Sequence, residues 1–315
     1  IDLMPITITD TLSNFERESL IRPFGFKGGY MREIWQSVAR MQSANGKSGL
    51  GLCTQNALWS DATVFADNSP AAAEAMMYTI TDFALQQAKG RSFSTPLDLQ
   101  EQLLPEVYEF AKHITRNDRL RMTFALNAMV GVDFAAWLLY AAEHSLSTFD
   151  EMIPAEFRNL LDQRHDRVAA IPLMAYGIPL EEIKAAVEAG YFFMKIKIGQ
   201  PGTQDEMLEK DKARLSAIHE AIGHVETPHT ANGKLPYYFD ANGRYDTKAR
   251  LQQLLDHADK IGALEQIALI EEPFPESNHE AVNDLGVRIA ADESAHTDAD
   301  TLERIKLGYS AIALK

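Results

Sequence analysis

The sequence predicts an α/β fold: a (β/α)8-type barrel that is incomplete within this chain, preceded by a small α+β domain. From residue 169 onward, strand-like segments alternate with helix-like segments, and this alternation indicates parallel strands. Each of the last five predicted strands ends in a charged residue or carries one near its end: Lys197, Asp240, Glu271, Asp292 and Lys315. Charged groups at the carboxyl ends of successive strands are typical of a barrel, whereas a doubly wound sheet gathers its ligands at one switch point.

The length of 315 residues predicts two domains. We assign residues 1–130 to the α+β domain, because short strands are followed there by helices, and residues 131–315 to the barrel. The alternation stops at a sixth strand, so the barrel is truncated within this chain. An open half-barrel would expose unpaired strand edges, and we therefore expect the chain to continue.

Composition excludes several classes of function. The net charge of −15 argues against nucleic acid and against anionic membrane surfaces as partners. No run of 18 apolar residues occurs, so we expect no membrane span. The single cysteine, Cys53, rules out an internal disulfide and favours a reducing compartment, which we take to be the cytoplasm.

The first part of the chain predicts three strands, two loops and three helices. The loops at residues 20–30 and 54–60 are rich in glycine or aromatic residues, and such loops often line ligands. Their residues Phe24, Phe26, Gln55 and Trp59 either contact a substrate or pack where the domains meet. The strands are predicted at residues 3–8, 31–41 and 47–53, and the helices at 70–89, 97–114 and 117–144.

The second part predicts six strands and the helices that connect them. A polar insertion at residues 225–235 interrupts the alternation and either reshapes the mouth of the barrel or forms an oligomer contact. The strands are predicted at residues 169–176, 191–199, 237–240, 267–271, 288–292 and 311–315. The helices are predicted at residues 179–190, 203–221, 247–260, 277–284 and 298–307.

The strand at residues 191–199 carries two lysines inside an apolar run. Lys195 and Lys197 are two residues apart, so both lie on one face of the strand. Lysine is rarely buried without a partner, and the pair therefore requires carboxylates or an anionic ligand nearby. The alternative is an edge strand whose lysines prevent aggregation.

Three carboxylates end three successive strands and provide such partners. Asp240, Glu271 and Asp292 would repel one another when they converge, so they require cations. Oxygen ligands alone suit Mg²⁺, with Mn²⁺ as an alternative. Glu272 follows Glu271 directly, but strand alternation cannot direct both side chains inward, and we favour Glu271. A divalent ion beside lysines lowers their pKa, so that one of them can act as a base near pH 7.

Taken together, these segments resemble the enolase superfamily and, within it, the muconate-lactonizing-enzyme-like subgroup of the mandelate racemase/muconate lactonizing enzyme family. The segments that carry the resemblance are Lys195-Ile-Lys197, Asp240-Ala-Asn242, Ile270-Glu-Glu-Pro273, Ala291-Asp-Glu-Ser294 and the terminal Lys315. The N-terminal α+β domain resembles the capping domain of that superfamily. The mandelate racemase subgroup itself would have Glu in place of Asp292 and would use a later histidine.

The resemblance implies a role for each residue. Asp240, Glu271 and Asp292 would bind Mg²⁺, and Lys197 and Lys315 would form an acid/base pair on opposite faces of the substrate. Lys195 would hold the substrate carboxylate and lower the pKa of Lys197. Asn242 and Glu293 would support these groups, the latter by orienting Lys315.

The function implied is abstraction of the proton α to a carboxylate, through a metal-stabilised enediolate. A racemase or epimerase of an amino-acid derivative or dipeptide fits best. The alternatives are a lyase or cycloisomerase acting on a carboxylate, and a non-catalytic metal-binding scaffold. The expected partners are a small carboxylate-bearing substrate and further copies of the chain in a homo-oligomer.

Overall fold

The structure is a computed structural model that describes residues 4–314. Its internal contacts divide the chain into two compact units. The first unit comprises the chain up to residue 22 together with residues 31–166. The second comprises residues 23–30 together with the chain from residue 167 onward.

The sheet of the first unit has four strands in the described part of the chain, in the order β3-β2-β1-β4. β1 pairs antiparallel with β4, and β2 pairs antiparallel with β3. Buried and exposed residues alternate along β3, as a strand with one face on a core requires. The strands are β1 (Ile6–Phe26), β2 (Gly29–Ser43), β3 (Ser48–Gln55) and β4 (Ser92–Phe93).

Within the described residues, six α-helices accompany this sheet, and side-chain capping explains where two of the longer ones begin. The hydroxyl of Ser69 accepts from the N–H of Ala72, and Pro70 occupies the first turn. Thr95 and Asp98 form a reciprocal capping box at the start of the next long helix. The helices are α1 (Ala57–Ser60), α2 (Ala62–Asp67), α3 (Pro70–Ala88), α4 (Pro96–Thr115), α5 (Met122–His144) and α6 (Phe149–Met152).

Helix α5 lies directly against β3, backbone to backbone. A Cβ atom at Gly51 would stand 1.8 Å from the carbonyl oxygen of Gly131, and one at Gly49 would stand 2.0 Å from that of Ala135. Both distances are far shorter than van der Waals contact, so only glycine fits at these two positions. The inward face of β3 thus sets the distance between sheet and helix.

By length and composition alone, α5 could also cross a membrane. However, 61% of its most apolar window is buried inside the protein, where it forms a core cluster with residues of α3 and α4. A helix that is apolar on all sides is expected at the centre of such a core. We therefore interpret α5 as the core helix of the first unit.

The second unit contains a parallel sheet of six strands in the described part of the chain, in the order β10-β9-β8-β7-β6-β5. The sheet is not closed into a barrel among these residues. The strands are β5 (Leu173–Met174), β6 (Met194–Lys197), β7 (Tyr237–Asp240), β8 (Ile267–Glu271), β9 (Ile289–Ala291) and β10 (Ala311–Ile312). The helices are α7 (Leu180–Glu188), α8 (Gln204–Ile222), α9 (Lys248–Lys260) and α10 (Asp298–Lys306).

Three predicted elements are wrong. The loop predicted at residues 54–60 is the end of β3 followed by the short helix α1. Residues 20–30 are mostly strand, because β1 runs to Phe26 and β2 begins at Gly29, and the two are joined by a tight turn. Residues 277–284, which the structure describes throughout, form turns instead of a helix. The side chain of Asn278 accepts from the N–H of Glu280, and the guanidinium of Arg304 donates to the carbonyls of Glu276 and Asn278. These bonds use backbone groups that a helix would need.

The boundary predicted at residues 130 and 131 falls inside α5, a continuous helix whose residues all belong to the first unit. The polar insertion at residues 225–235 precedes β7 and therefore lies at the amino end of that strand. The charged groups that end the strands lie at the opposite, carboxyl end.

Candidate active site

The two lysines of β6 and the aspartate of β7 form the centre of the site. The ammonium of Lys197 lies 2.6 Å from Oδ2 of Asp240, and that of Lys195 lies 2.9 Å from the same oxygen. Both lysines thus lie on one face of β6, which confirms their predicted orientation. Burial alone would raise the pKa of Asp240, but the charges of Lys197 and Lys195 outweigh it and lower the pKa.

The carboxylate of Glu271, on β8, completes this group. Its Oε2 accepts a hydrogen bond from Lys195 at 2.6 Å and another from the hydroxyl of Tyr238. Burial disfavours the charge of Lys195, but Asp240 and Glu271 outweigh burial and raise its pKa well above the ordinary value. In this structure the Lys195 ammonium therefore remains charged and acts as the counter-ion of two buried carboxylates.

Strand register explains why these side chains meet. Lys197 pairs with Asp240, and Asp240 pairs with Glu271, so the three occupy one row across three parallel strands. The next position in the row is Ala290 of β9, and Asp292 follows two residues later on the same face. The carboxyl ends of β6, β7 and β8 thus bring Lys195, Lys197, Asp240 and Glu271 together, and Asp292 follows the neighbouring strand β9.

Adjacent Glu271 and Glu272 direct their carboxylates to different partners, as predicted, but Glu272 lies just after β8 and has a positive φ of 39°. Glu272 accepts from the backbone N–H of Asp292 at 2.7 Å and from the hydroxyl of Ser294 at 3.0 Å. Burial, and after it the charge of Glu293, raises the pKa of Glu272 to about 8. Glu272 therefore fixes the segment that follows β9, while Glu271 faces the lysines.

Asn242 and Glu293 support Lys197. The side-chain oxygen of Asn242 accepts from Lys197 at 2.6 Å, and its amide nitrogen donates to Oε1 of Glu293 at 2.9 Å. Asn242 has a positive φ of 45°, a conformation that asparagine tolerates better than most residues. The backbone N–H of Asn242 also donates to Oδ1 of Asp240, so one residue orients both members of the Lys197–Asp240 pair.

The turn between β1 and β2 belongs to the second unit and reaches the same groups. The ring centroid of Phe26 lies 5.3 Å from the ammonium of Lys197, within range of a cation–π contact. The ammonium of Lys27 lies 3.4 Å from Oε1 of Glu293. Both Phe26 and Lys27 are buried.

The loop after β6 is held by buried polar side chains. Asp211 of α8 accepts from the backbone N–H of Gly199 at 2.7 Å and from the hydroxyl of Tyr245 at 2.8 Å. The hydroxyl of Tyr176 donates to the carbonyl of Gly199 at 2.8 Å. These bonds hold the end of the strand that carries Lys197.

The carboxylates suit a divalent cation by their chemistry, although lysines hold them in this structure. Asp240, Glu271 and Asp292 are buried, and they offer only oxygen donors. Oε1 of Glu271 is buried without a hydrogen-bond partner in the described part of the chain. Among residues 4–314, no group of three or more Asp, Glu, His or Cys side chains is close enough to hold a metal ion as it stands. The ammonium of Lys195 instead bridges Asp240 and Glu271, and that of Lys197 contacts Asp240 alone.

The remaining predicted site residues are Phe24, Gln55, Trp59 and Lys315. Phe24 contacts Phe26, with ring centroids 5.5 Å apart. Gln55 is fully buried in the first unit, where its amide donates to the hydroxyl of Thr81. Trp59 lies in α1 of the same unit. Lys315 lies outside the described residues, so its role stays a prediction.

Sequence reasoning missed two residues of this site. Tyr238 lies two residues before Asp240 on the same strand, and strand alternation could have placed it on the same face. Lys27 offered no comparable signal, because its position depends on a hairpin that the sequence predicted as a loop.

Comparison with known proteins agrees with this architecture. Residues 180–313 match a family model described as "Enolase C-terminal domain-like". No curated protein sequence matches the chain.

Several solved structures share the fold. A dipeptide epimerase from Enterococcus faecalis V583, complexed with Mg and the dipeptide L-Leu-L-Tyr, superposes with a TM-score of 0.64 at 18% identity, over 97% of this chain and 73% of that one. A muconate lactonizing enzyme from Pseudomonas fluorescens superposes with a TM-score of 0.63 at 20% identity, over 98% of this chain and 73% of that one. An N-succinyl Arg/Lys racemase from Bacillus cereus ATCC 14579 superposes with a TM-score of 0.64 at 16% identity, over 98% of this chain and 72% of that one. At these identities the likeness shows the fold alone.

Proposed function

We propose, from the match of residues 180–313 to a family model described as "Enolase C-terminal domain-like", that this protein is a Mg²⁺-dependent enzyme that removes the proton α to a substrate carboxylate. We further propose a racemase or epimerase of a dipeptide or an N-acylated amino acid. The observation that carries the proposal is the row formed by Lys197, Asp240 and Glu271 across three strand ends. It combines a buried amine with carboxylates of the kind that bind a divalent cation.

Asp240, Glu271 and Asp292 would hold the Mg²⁺ ion. Bound there, the ion would offset the negative charge that develops on the substrate carboxylate as the α-proton leaves. The lysine contacts to Asp240 and Glu271 would then give way to contacts with the ion. That exchange leaves the ammonium groups next to the place where an anionic substrate would bind.

Lys197 is the group we propose to move the proton. Its ammonium is almost fully buried, and Asn242 and Asp240 fix its direction. A positioned amine of this kind contributes typically about 10²–10⁴-fold as a general base or acid. Lys195 is more exposed, with 22% of its side chain accessible, and we assign it to the substrate carboxylate.

A racemase needs a second acid/base group on the opposite face of the substrate. We propose Lys315 for this role, on the resemblance of the terminal Leu-Lys to the corresponding strand of the superfamily. In an eight-stranded barrel, the strands ending in Lys197 and Lys315 would be four positions apart and would face each other across the substrate. We propose that the enzyme acts in the cytoplasm and as a homo-oligomer.

Proton exchange with solvent tests the proposal directly. The full chain with MgCl₂ is incubated in D₂O with a panel of L-dipeptides and N-succinyl amino acids, and proton NMR follows loss of the α-proton signal and growth of the epimer. We expect exchange with at least one substrate, abolished by chelation of the metal, and we expect Lys197→Ala to abolish growth of the epimer. The control Lys306→Met changes an exposed lysine on α10 and should leave exchange intact.

Other outcomes identify the alternatives. Loss of the α-proton with release of a β-substituent, without an epimer, would indicate a lyase. Growth of the epimer that survives Lys197→Ala would contradict the assignment of the base. No exchange with any α-protonated carboxylate would favour a metal-binding scaffold.

A further inference from the structure

The turn that joins β1 and β2 places a lysine in a costly conformation and buries it. Lys27 has a φ of +50°, and Gly28 follows with a φ of +74°. A two-residue turn of this kind favours asparagine or glycine at its first position, since an ordinary side chain there costs roughly 1–2 kcal/mol. Lys27 is only 7% exposed, and lysine is seldom buried without a specific partner. Local backbone preference therefore does not explain this lysine, but its contacts do.

Three polar contacts connect Lys27 to Lys197. The Lys27 ammonium lies 3.4 Å from Oε1 of Glu293, and the same oxygen accepts from the amide nitrogen of Asn242 at 2.9 Å. The amide oxygen of Asn242 then accepts from Lys197 at 2.6 Å. All four residues are buried, so water competes little for these groups.

The charges of Glu293 and Lys197, which contact Asn242 from opposite sides, determine how the Asn242 amide is oriented. A carboxylate only accepts hydrogen bonds and an ammonium only donates them. Glu293 therefore requires the NH₂ group of Asn242, and this leaves the carbonyl oxygen directed at Lys197. A reversed amide would place NH₂ against the ammonium and oxygen against the carboxylate. Fixing Glu293 thus fixes the acceptor that Lys197 uses.

The residues next to Lys27 in the turn, Gly25, Phe26 and Gly28, also contact the rest of the second unit near Lys197. The ring of Phe26 covers the Lys197 ammonium, and the carbonyl of Gly25 accepts from the N–H of Tyr176 at 3.1 Å. A Cβ atom at Gly28 would lie 3.0 Å from the guanidinium carbon of Arg244, so the backbone of the turn packs on that side chain. Residues 25–28 therefore bring Lys27 to Glu293 in a defined position.

We propose that Lys27 is a positioning residue: by holding Glu293 it fixes Asn242 and, through it, the ammonium of Lys197. When residues 25–28 pack against the strand ends, Lys27 contacts Glu293, and the Lys197 ammonium is thereby held in place. The Lys27 ammonium is directed at Glu293. Lys27 therefore affects the reaction through the position of Lys197 and does not itself bind the substrate. This inference rests on the proposed function, since it takes Lys197 to be the group that moves the proton.

Competitive labelling of lysines tests the coupling without any substrate. The full chain, with and without MgCl₂, is methylated reductively for a short time, and peptide mass spectrometry compares Lys197 with the exposed Lys260 as an internal standard. Loss of one charged contact in Lys27→Met should raise the relative labelling of Lys197 by about tenfold. Lys27→Arg retains the charge and should restore most of the protection. The control Lys306→Met should change nothing.

A second variant guards against a folding defect. Glu293→Gln keeps the shape of the side chain but weakens its contact with Lys27, and it should raise Lys197 labelling in the same way. Circular dichroism confirms that each variant is folded. If Lys197 stays protected in folded Lys27→Met or Glu293→Gln, the positioning role is overturned.

Kinetics with a substrate found by proton exchange separate positioning from binding. Lys27→Met should lower kcat about tenfold while KM changes less than about twofold, because only the reacting amine is displaced. A large rise in KM with kcat unchanged would make Lys27 a substrate ligand and overturn the proposal. If no substrate exchanges its α-proton in the unaltered protein, the proposed function fails, whereas labelling still decides whether Lys27 positions Lys197.

Discussion

The ammonium of Lys195 lies 2.6 Å from Oε2 of Glu271, so a lysine holds a carboxylate that we propose as a metal ligand. It also lies 2.9 Å from Oδ2 of Asp240, which makes Lys195 the shared counter-ion of two buried acids. The buried carboxylates of Asp240 and Glu271 require cations, and in this structure Lys195 and Lys197 supply them. A metal ion bound by the proposed ligands would therefore compete with Lys195 for the same oxygens.

Lys195→Met should destabilise the metal-free protein. Glu271 would lose its cation, and an unpaired buried charge costs up to about 3–5 kcal/mol. Urea unfolding in the presence of a chelator measures the loss. Added Mg²⁺ should restore more stability to Lys195→Met than to the unaltered protein, since the ion replaces the missing charge. Equal stabilisation of both by Mg²⁺ would contradict competition at these oxygens.

The two proposed bases should serve opposite stereoisomers of one substrate. Lys197→Ala and Lys315→Ala should each stop racemisation, yet each should still exchange the α-proton of one enantiomer with D₂O by its remaining lysine. Proton NMR on each enantiomer separately measures this exchange, and the two variants should show opposite preferences. If Lys315→Ala turns over both isomers normally, the reaction uses one base and a lyase becomes the better proposal.

The features of this site that follow strand geometry could be predicted from sequence. Lys195 and Lys197 face Asp240 because residues two apart share a face of a strand. The parallel register that aligns Lys197, Asp240 and Glu271 follows from repeated strand–helix units.

Features that depend on contacts between distant segments could not be predicted in this way. Lys27 is 266 residues from Glu293, and no local pattern reports such a pair. Residues 277–284 have the composition of a helix, but Arg304 binds the carbonyls of Glu276 and Asn278. The glycines around the turn suggested a loop, whereas the pairing of β1 and β2 extends almost to its tip.

The close approach of β3 and α5 predicts strong sensitivity at Gly51. In Gly51→Ala the new methyl group would meet the carbonyl oxygen of Gly131 at 1.8 Å, and neither backbone can move without disturbing the core. We expect a loss of about 3 kcal/mol or more in the free energy of unfolding, measured by urea denaturation. Leu50→Ala, at an exposed position on the same strand, should change it by less than about 0.5 kcal/mol. Equal effects of the two substitutions would contradict backbone-to-backbone packing.

Glu74 predicts how the stability of the protein depends on pH. This carboxyl group is buried in the first unit, where Oε1 accepts from the N–H of Ala57. Burial, with a smaller contribution from the charge of Glu33, raises its pKa from 4.5 to about 7. Between these two values the folded protein binds a proton that the unfolded chain does not. The free energy of unfolding contributed by Glu74 therefore falls as the pH rises through this range.

The size of this effect follows from the shift. A difference of about 2.5 pH units corresponds to about 3 kcal/mol, lost progressively as the pH rises from about 4.5 to 7. Glu74→Gln retains an acceptor for the Ala57 N–H but cannot ionise, so its stability should lack this decline. The measurement is a series of urea unfolding curves over this pH range, compared as the difference between variant and unaltered protein. Glu101→Gln, which alters an exposed glutamate on α4, should leave the profile unchanged. If the difference between Glu74→Gln and the unaltered protein stays constant with pH, the Glu74 carboxyl group does not titrate with a raised pKa in the folded state.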